Sequence, residues 1–308
     1  MNNQVFSLKP NLLLSVVICT YNRAKLLQLC LKSLVAQTLS HQLYEVIIID
    51  NNSTDDTKLV SQSFCAQYPN VRMVTEFHQG LSHARNRGWL EAKGEYIAYI
   101  DDDAKAFPDW CEQIVSFTQR QPSIKVFGGP YYPFTLKLPP DWFPPEYGKF
   151  EICYEEREID VKYEWICGSN MTYHRSIFNN GISFDVNLGM KGSALAYGEE
   201  THLMLVLANS GHTIYYVPSI KVYHLIASYK MALCWLLKSE YNCGKCSNKI
   251  FSLEHSVWDY LLILLRSFVS SFRLYIRYRR EPFRRRVYYS FRNFFYTVGG
   301  IADKLFSK

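Results

Sequence analysis

Short apolar runs alternate with amphipathic segments through the first third of the chain. Runs rich in β-branched residues predict buried strands, and apolar residues three or four positions apart predict helices. Strands are predicted at 13–18, 45–49, 71–75 and 96–100, and helices at 24–37, 55–68 and 82–93. This alternation is typical of a parallel sheet flanked by helices, so we expect an α/β fold.

The pattern is less regular beyond residue 107. We predict a helix over 108–121, a turn at Phe127–Pro130 and an ordered loop rich in proline and aromatic residues over 131–150. Strand character is expected over 164–173, a helix over 199–210 and two last short strands at 213–217 and 220–224. A boundary near Ala227 is expected to separate an α/β domain, residues 1–226, from a helical extension, residues 227–308.

The extension is strongly basic. Residues 266–292 contain nine arginines and one acidic residue, so the rest of the chain, with a total formal charge of +6, is slightly negative. A helix over 261–280 would place Arg266, Arg273, Arg277 and Arg280 on one side and an apolar face on the other, with Arg279 as an exception on the apolar side. This pattern favours contact of residues 258–296 with an anionic membrane surface. Packing on the body or in a homodimer remains open, and no recognition module supports nucleic-acid binding.

Nine cysteines scattered along 308 residues do not indicate a disulfide scaffold. An odd number of thiols favours a reducing compartment, so we expect a cytoplasmic protein, peripheral on the inner face of the plasma membrane. The apolar stretch 12–19 lacks a strongly basic leader and a cleavage site, which favours a first strand over a signal peptide.

Three consecutive aspartates, Asp101, Asp102 and Asp103, directly follow the predicted strand 96–100. Clustered carboxylates repel one another unless a divalent cation or hydrogen-bond donors compensate them. Ligands of open α/β sheets gather at the carboxyl ends of strands, so a metal site is the favoured interpretation. A solvated acidic turn or a helix cap is the alternative.

Five motifs occur in order: Val16-Val-Ile-Cys-Thr-Tyr-Asn-Arg23, Ile47-Ile-Ile-Asp-Asn-Asn-Ser-Thr-Asp55, Gly80-Leu-Ser-His-Ala-Arg-Asn-Arg-Gly88, Asp101-Asp-Asp103 and Gly198-Glu-Glu-Thr-His-Leu203. Together they resemble family 2 glycosyltransferases over residues 12–224. The resemblance implies a GT-A fold, a Rossmann-like and mostly parallel sheet, and an inverting sugar transfer from a nucleotide diphosphate-sugar. It also implies a divalent metal, magnesium or manganese.

The resemblance also implies site residues for the donor nucleotide. Tyr21 matches an aromatic residue that packs on the base. Asn51 stands where the family often has an Asp that accepts a hydrogen bond from uracil, and the neighbouring Asp50 is the alternative. A UDP-sugar is the expected donor, although Asn51 departs from the family's pattern for uracil. Arg85 could pair with the diphosphate. The full set of candidates is Thr20, Tyr21, Arg23, Asp50, Asn51, Arg85, Asp101 and Asp102.

For the metal, the resemblance implies Asp101, Asp103 and His224. The proton acceptor of an inverting transfer corresponds by position to Glu200, with the neighbouring Glu199 as the alternative. The segment Trp165–Met171 resembles the acceptor side, where Asn170 offers an amide. The Gln-x-x-Arg-Trp motif of processive members is not found in this sequence, so one sugar is expected per encounter.

The expected acceptor is a lipid-linked or polysaccharide glycan of the bacterial envelope, as the resemblance implies. Two alternatives remain open at this point. One is a nucleotide-sugar binding protein without turnover, in which Glu199-Glu200 has replaced the family's Gly-Glu-Asp pattern and lost the base. The other is a nucleotidyltransferase, although no glycine-rich basic loop follows the first predicted strand.

Overall fold

The computed structural model describes residues 12–192, 196–251 and 257–306. The first half forms the strands β1 (Leu14–Thr20), β2 (Tyr44–Asp50), β3 (Val71–Thr75) and β4 (Tyr96–Asp101) and the helices α1 (Ala24–Leu34), α2 (Thr57–Gln67) and α3 (Leu81–Glu91). The four strands are parallel, in the order β3-β2-β1-β4. The predicted elements of this half are confirmed, with shifts of up to three residues at their ends.

The second half adds the remaining elements of the body: β5 (Ala104–Ala106), α4 (Trp110–Arg120), β6 (Val126–Gly128), β7 (Tyr131–Phe134), β8 (Arg157–Glu158), β9 (Met171–His174), α5 (Glu199–Asn209), β10 (Ile214–Tyr216) and β11 (Val222–Leu225). The main sheet continues from β4 as β9-β6-β10-β8, and a small sheet has the order β5-β11-β7. The strand β9 is antiparallel to both of its neighbours.

Three local predictions for this half were wrong. Val126–Gly128 form β6, so the turn is confined to the two residues before β7. Of the predicted strand 164–173, only the end is β9, and a 3₁₀ helix, Gly168–Asn170, precedes it. The predicted loop 131–150 begins with a strand, β7. The two strands predicted at 213–217 and 220–224 are confirmed as β10 and β11, which belong to different sheets because β10 joins β6 while β11 joins β5 and β7. Apolar runs locate strands but do not identify their partners.

The core consists of two apolar layers, one on each face of the main sheet. Val16 and Ile18 point to the layer under α1 and α4, while Val17 points to the opposite layer, under α3 and α5. Successive side chains of a strand alternate between faces, so a strand that is apolar throughout must be covered on both sides. The central position of β1 explains why the sequence LSVVICT has almost no exposed residue.

Three C-terminal helices follow: α6 (Leu233–Phe251), α7 (Val257–Arg277) and α8 (Phe283–Phe306). The backbones of α6 and α8 meet at two glycines, since a Cβ on Gly244 would overlap the carbonyl oxygen of Tyr296 and one on Gly299 would overlap that of Tyr241. Arg285 connects α8 to the body by donating hydrogen bonds to three backbone carbonyls of residues 141–143. Within the described residues, no helix is both long enough and apolar enough to cross a bilayer.

Candidate active site

The parallel register brings the polar ends of the first strands to one edge of the sheet. Thr20 lies beside Asp50 in the neighbouring strand, and Cys19 lies beside Asp101 on the other side. A cavity of about 380 Å³ opens over this edge. Of the residues predicted for nucleotide, metal and catalysis, all except Asp50 line it.

Asp50 and Asn51 organise the loop around the cavity. Asp50 is buried and accepts a hydrogen bond from the backbone of Ser53 at 3.0 Å. The Asn51 amide donates to the carbonyls of Glu76 and His78 at 3.0 and 2.7 Å, and its oxygen accepts from the backbone of Gly80 at 2.8 Å. Both amide hydrogens of Asn51 are therefore used to fix the chain that leads into α3.

Asp101, Asp103 and His224 form a compact cluster at the end of β4. The antiparallel pairing of β11 with β5 places His224 opposite Ala104, directly beyond the aspartates. Its Nε2 lies 3.5 Å from Asp101 and 3.3 Å from Asp103. The potential ligand atoms of the three residues all lie within 4.8 Å of one another. Two carboxylates and an imidazole form a donor set that suits Mn²⁺ and, through the oxygens, Mg²⁺.

The cluster is charged and strongly coupled. Burial would raise the pKa of Asp101, but the hydrogen bond from His224 and the charge of Arg85 outweigh it and hold the pKa at about 2. Burial lowers the pKa of His224, but the carboxylates of Asp103 and Asp101 raise it by more. The pKa of His224 is therefore above its usual value. The positive charge of His224 and Arg85 therefore stabilises the ionised carboxylates of the cluster.

Asp102, the middle residue of the triplet, lines the cavity and is paired with Arg23. Its side chain is buried and accepts a hydrogen bond from Arg23 at 3.0 Å, and the same guanidinium nitrogen reaches Asp103 at 3.1 Å. Burial raises the pKa of Asp102 to about 7, against the opposing charge of Arg23. Arg23 thus joins the loop after β1 to the acidic cluster.

Arg85 is paired with the second acidic group of the cavity, which consists of Glu199 and Glu200. Its buried guanidinium contacts Glu199 at 2.6 Å and lies 3.7 Å from both Glu200 and Asp101. Burial and the neighbouring Glu200 raise the pKa of Glu199, and Arg85 opposes them. Glu199 is almost fully buried, whereas the Glu200 side chain keeps 21% of its exposure. One Glu200 oxygen, Oε2, is buried without a hydrogen-bond partner in the described part of the chain.

The two glutamates begin α5 directly after Gly198, whose φ of +98° favours glycine. A Cβ at this position would also overlap the side chain of Ile250 in α6. The residue before the glutamates is therefore fixed by its backbone conformation and by the C-terminal helices. The helix N-terminus also favours negative charge at both glutamates.

Asn170 was expected to offer its amide on the acceptor side, but it is not among the residues that line the cavity. Its side chain is fully buried, accepts from Trp110 Nε1 at 2.9 Å and donates to the carbonyls of Pro130 and Ile220 at 2.9 and 2.7 Å. All of these hydrogen bonds of the Asn170 amide are made within the protein, to segments of the chain that lead into the small sheet. The neighbouring Gly168 does line the cavity, where it lies against Arg85.

Sequence reasoning missed one wall of the cavity. It is formed by side chains from the proline-rich loop, the turn before α5 and the start of the C-terminal extension: Tyr147, Tyr197, Tyr229, Lys230, Trp235 and Ser239. Tyr229 and Trp235 make an edge-to-face contact with ring centroids 6.0 Å apart. No motif marks these positions, and only the density of aromatic residues in these segments hints at a binding surface.

Comparisons with known proteins identify the family and the fold of the chain. The sequence model of glycosyl transferase family 2 matches residues 15–181, more than half of the chain. The chain is 28% identical over 229 residues to the glucosyl-dolichyl phosphate glucuronosyltransferase of Haloferax volcanii, with 72% of each protein covered. It is 36% identical over 116 residues to glycosyltransferase AglE of the same organism, covering 37% of this chain and 38% of that one.

A solved structure shares the whole architecture. The mannosyltransferase PcManGT from Pyrobaculum calidifontis, in complex with GDP-Man and Mn²⁺, superposes with a TM-score of 0.63 at 16% identity, over 96% of this chain and 87% of that one. The fold is therefore the GT-A fold of glycosyltransferases. With the family match over residues 15–181, the chain belongs to glycosyl transferase family 2 and is a glycosyltransferase, as its motifs predicted.

Proposed function

We propose that this protein is an inverting, metal-dependent glycosyltransferase that moves one sugar per encounter from a nucleotide diphosphate-sugar, with a UDP-sugar as the first candidate, to a hydroxyl of a lipid-linked or polysaccharide acceptor. One observation carries the proposal: a cluster of metal-ligand type and a separate pair of glutamates face the same cavity, connected by Arg85. This arrangement fits a donor site and a proton-accepting group on opposite sides of a sugar.

Glu200 is the proposed base. The acceptor oxygen would attack the anomeric carbon while Glu200 takes the hydroxyl proton, and the bond from that carbon to the diphosphate oxygen would break with its electrons remaining on the diphosphate. The partial exposure of Glu200 supports this role, and its Oε2, which lies 3.7 Å from Arg85, accepts no hydrogen bond within the described residues. Glu199 is supported as the positioning residue, because its carboxylate is buried and bound by Arg85 at 2.6 Å.

Asp101, Asp103 and His224 are the residues proposed to hold a divalent metal. The donor set fits the ion, and all three side chains line the cavity. When bound, Mg²⁺ or Mn²⁺ would neutralise charge on the departing diphosphate. Support also comes from PcManGT, which contains GDP-Man and Mn²⁺, and from S. aureus TarS 1-349 in complex with UDP-GlcNAc, which superposes with a TM-score of 0.57 at 15% identity over 95% of this chain and 92% of that one.

The donor nucleotide would lie along the opposite end of the cavity, near Tyr21. That ring lines the cavity and offers an aromatic face to a base. Because the Asn51 amide is bound within the protein, base selection through this amide would require a rearrangement of residues 76–80. Backbone atoms around Asp50 and Asn51 are then the expected partners of the base.

A lipid-linked acceptor is favoured by the relative from Haloferax volcanii, whose name specifies a glucosyl-dolichyl phosphate. The helix α7 gives independent support. It presents a continuous exposed apolar face, made of Trp258, Leu261, Leu262, Leu265, Phe268, Val269, Phe272 and Ile276. Arg266, Arg273 and Arg277 follow one flank of this face. We assign this surface, the α7 face, to the anionic inner leaflet of a membrane, because large apolar side chains flanked by arginines suit its interface.

The proposal is tested by a donor screen with Mn²⁺ that scores both nucleotide release and sugar transfer. Glu200→Gln should lower turnover at least ~10²-fold while donor binding stays close to wild type, because the amide cannot accept the proton. Asp103→Asn should weaken metal-dependent donor binding as well as turnover. Glu158→Gln, on the exposed edge strand β8, is the matched control.

The two rival functions predict different results in the same screen. A nucleotide-sugar binding protein without turnover would bind the donor and release no nucleotide in any variant. A nucleotidyltransferase would release no nucleoside diphosphate from a sugar donor, and would form pyrophosphate only when supplied with a nucleoside triphosphate and a sugar 1-phosphate. Nucleotide release that needs no metal and is unchanged in both Asp103→Asn and Glu200→Gln would refute the proposed mechanism.

A further inference from the structure

We propose that Lys230 is a diphosphate-binding residue, which reaches the donor from the C-terminal side of the cavity and faces the pyrophosphate opposite the acidic cluster. The inference rests on the proposed function, since it needs a nucleotide diphosphate-sugar in the cavity. Lys230 belongs to the 3₁₀ helix Ser228–Met231 and lies outside the residues matched by the family.

Of the lysine and arginine side chains that the structure describes, three line the cavity, and two of them are already paired. Arg23 is bound to Asp102 and Asp103, and Arg85 is bound to Glu199. Lys230 also lines the cavity, but among the described residues no carboxylate lies within 4.0 Å of its ammonium group. Trp235 is an aromatic neighbour, with 5.9 Å between Nζ and the ring centroid. Within this set of three, Lys230 is the cation whose charge is available to a ligand.

The position of Lys230 is set by rigid neighbours. Its backbone N–H donates to the carbonyl of Ala227 at 2.9 Å, which closes the turn after β11. The next residue, Met231, is buried with Phe143 and Leu236 and anchors this turn to α6. Six residues earlier in the chain, His224 belongs to the acidic cluster. One short segment therefore carries a candidate metal ligand and an ammonium group to the same cavity.

Lys230 lines the same cavity as Asp101, Asp103 and His224. The ammonium group therefore shares the cavity in which the diphosphate of a donor would meet the cluster. The diphosphate of a donor gains a further negative charge when the sugar departs, and the nucleoside diphosphate then carries more charge than one divalent ion neutralises. Lysine is a common phosphate ligand as a compact point charge.

The test compares Lys230→Gln with wild type in calorimetric titrations with Mn²⁺, using UDP and UMP, and GDP and GMP as the second pair. We expect Lys230→Gln to weaken binding of the nucleoside diphosphate by roughly tenfold or more, and binding of the monophosphate by less than about twofold. Lys230→Arg, which keeps the charge, should recover most of the diphosphate affinity. Lys238→Gln, on the exposed side of α6, is the control.

Each outcome decides the inference. Equal losses for diphosphate and monophosphate, or no loss for either, would overturn it, and circular dichroism with a thermal midpoint shows whether the variants are folded. Unchanged diphosphate binding with a raised KM for a phospholipid acceptor would assign Lys230 to the acceptor and also overturn it. If wild type binds none of the four nucleotides, the proposed function fails as well, whereas a failure confined to the Lys230 variants leaves that function intact.

Discussion

At the scale of single residues, Arg85 connects the two acidic groups of the site. It reaches Asp101 in one direction and Glu199 and Glu200 in the other, and its own side chain is only 4% exposed. Gly168 makes room for it, because a Cβ there would lie 2.5 Å from its Nη2. A buried cation between carboxylates fixes their separation, which is what a donor site and a base on opposite sides of one sugar require.

Removal of Arg85 should destabilise the protein strongly. In Arg85→Met the Glu199 carboxylate is left buried without a compensating charge, and the free energy of unfolding should fall by about 3–5 kcal/mol. Arg85→Met combined with Glu199→Leu should recover a substantial part of this loss, since no buried charge remains. Urea unfolding of both variants measures the difference. A double variant as unstable as the single one would show that packing, rather than charge, dominates at this position.

At the scale of secondary-structure elements, the contact between α6 and α8 supports the cavity wall to which Trp235 and Ser239 belong. Trp235 and Ser239 belong to the first turns of α6, and Gly244 lies further along the same helix, against α8. Tyr288 of α8 donates a hydrogen bond to Glu240 at 3.0 Å and packs in the same cluster as Leu236. The position of α6 at the cavity therefore depends on how closely α8 can approach it.

Alanine at the two contact glycines should destabilise this helix pair. Gly→Ala in a helix usually increases stability, by roughly 0.5–1 kcal/mol. For Gly244→Ala and Gly299→Ala we expect the opposite sign, a loss of about 1–3 kcal/mol each, because a methyl group would meet a backbone carbonyl. Thermal or urea unfolding measures this loss of stability, and Ser270→Ala, on the exposed side of α7, is the control. An increase in stability for both glycine variants would contradict the close helix contact.

Glu240 should make the stability of the helix pair depend on pH. Burial raises its pKa, against the hydrogen bond from Tyr288 and the charge of Arg292. A carboxyl whose pKa is higher in the folded state binds its proton more tightly there, so stability falls as pH rises from the unfolded pKa, about 4.3, through the folded value. Glu240→Gln keeps the hydrogen-bond acceptor and should match wild type below that window but exceed its stability at neutral pH. An equal difference in urea midpoint at about pH 4 and about pH 8 would contradict this.

At the scale of the whole molecule, the sequence predicts the sheet and the acidic edge but not the contacts between distant segments. Thr20, Asp50 and Asp101 were predictable because each ends an apolar run, and parallel strands end at one edge. The pair Arg85–Glu199 spans 114 positions and arises only when α3 and α5 pack together. Lys230 was missed for the same reason, since no local pattern places it beside the cluster.

The C-terminal extension also shows which features local sequence patterns predict and which features only tertiary packing decides. The periodicity of the arginines and apolar residues predicted a two-sided helix, and α7 does carry both features. The sequence could not specify which side meets the protein. In the structure Tyr260 and Ser271 are buried, while Phe268 and Phe272 keep about half of their exposure or more, at 52% and 60%. The apolar surface that remains available is therefore the α7 face.

The α7 face should bind anionic vesicles through two separable contributions. Arg273→Gln with Arg277→Gln should weaken binding to vesicles of phosphatidylcholine and phosphatidylglycerol by about 1 kcal/mol per charge and reduce the salt dependence. Phe268→Ser with Phe272→Ser should weaken binding at every salt concentration, because the apolar contribution is not screened. Co-sedimentation with vesicles measures both, with pure phosphatidylcholine as the uncharged surface.

The control is Leu59→Ser, which changes a residue of α2 that is 65% exposed and far along the chain from the extension. Its binding should equal that of wild type. If the protein is a dimer without vesicles and the Phe268→Ser, Phe272→Ser variant is a monomer, the α7 face belongs to a second copy of the chain. In that case the membrane assignment is wrong, because an apolar face buried between two copies is not available to lipid.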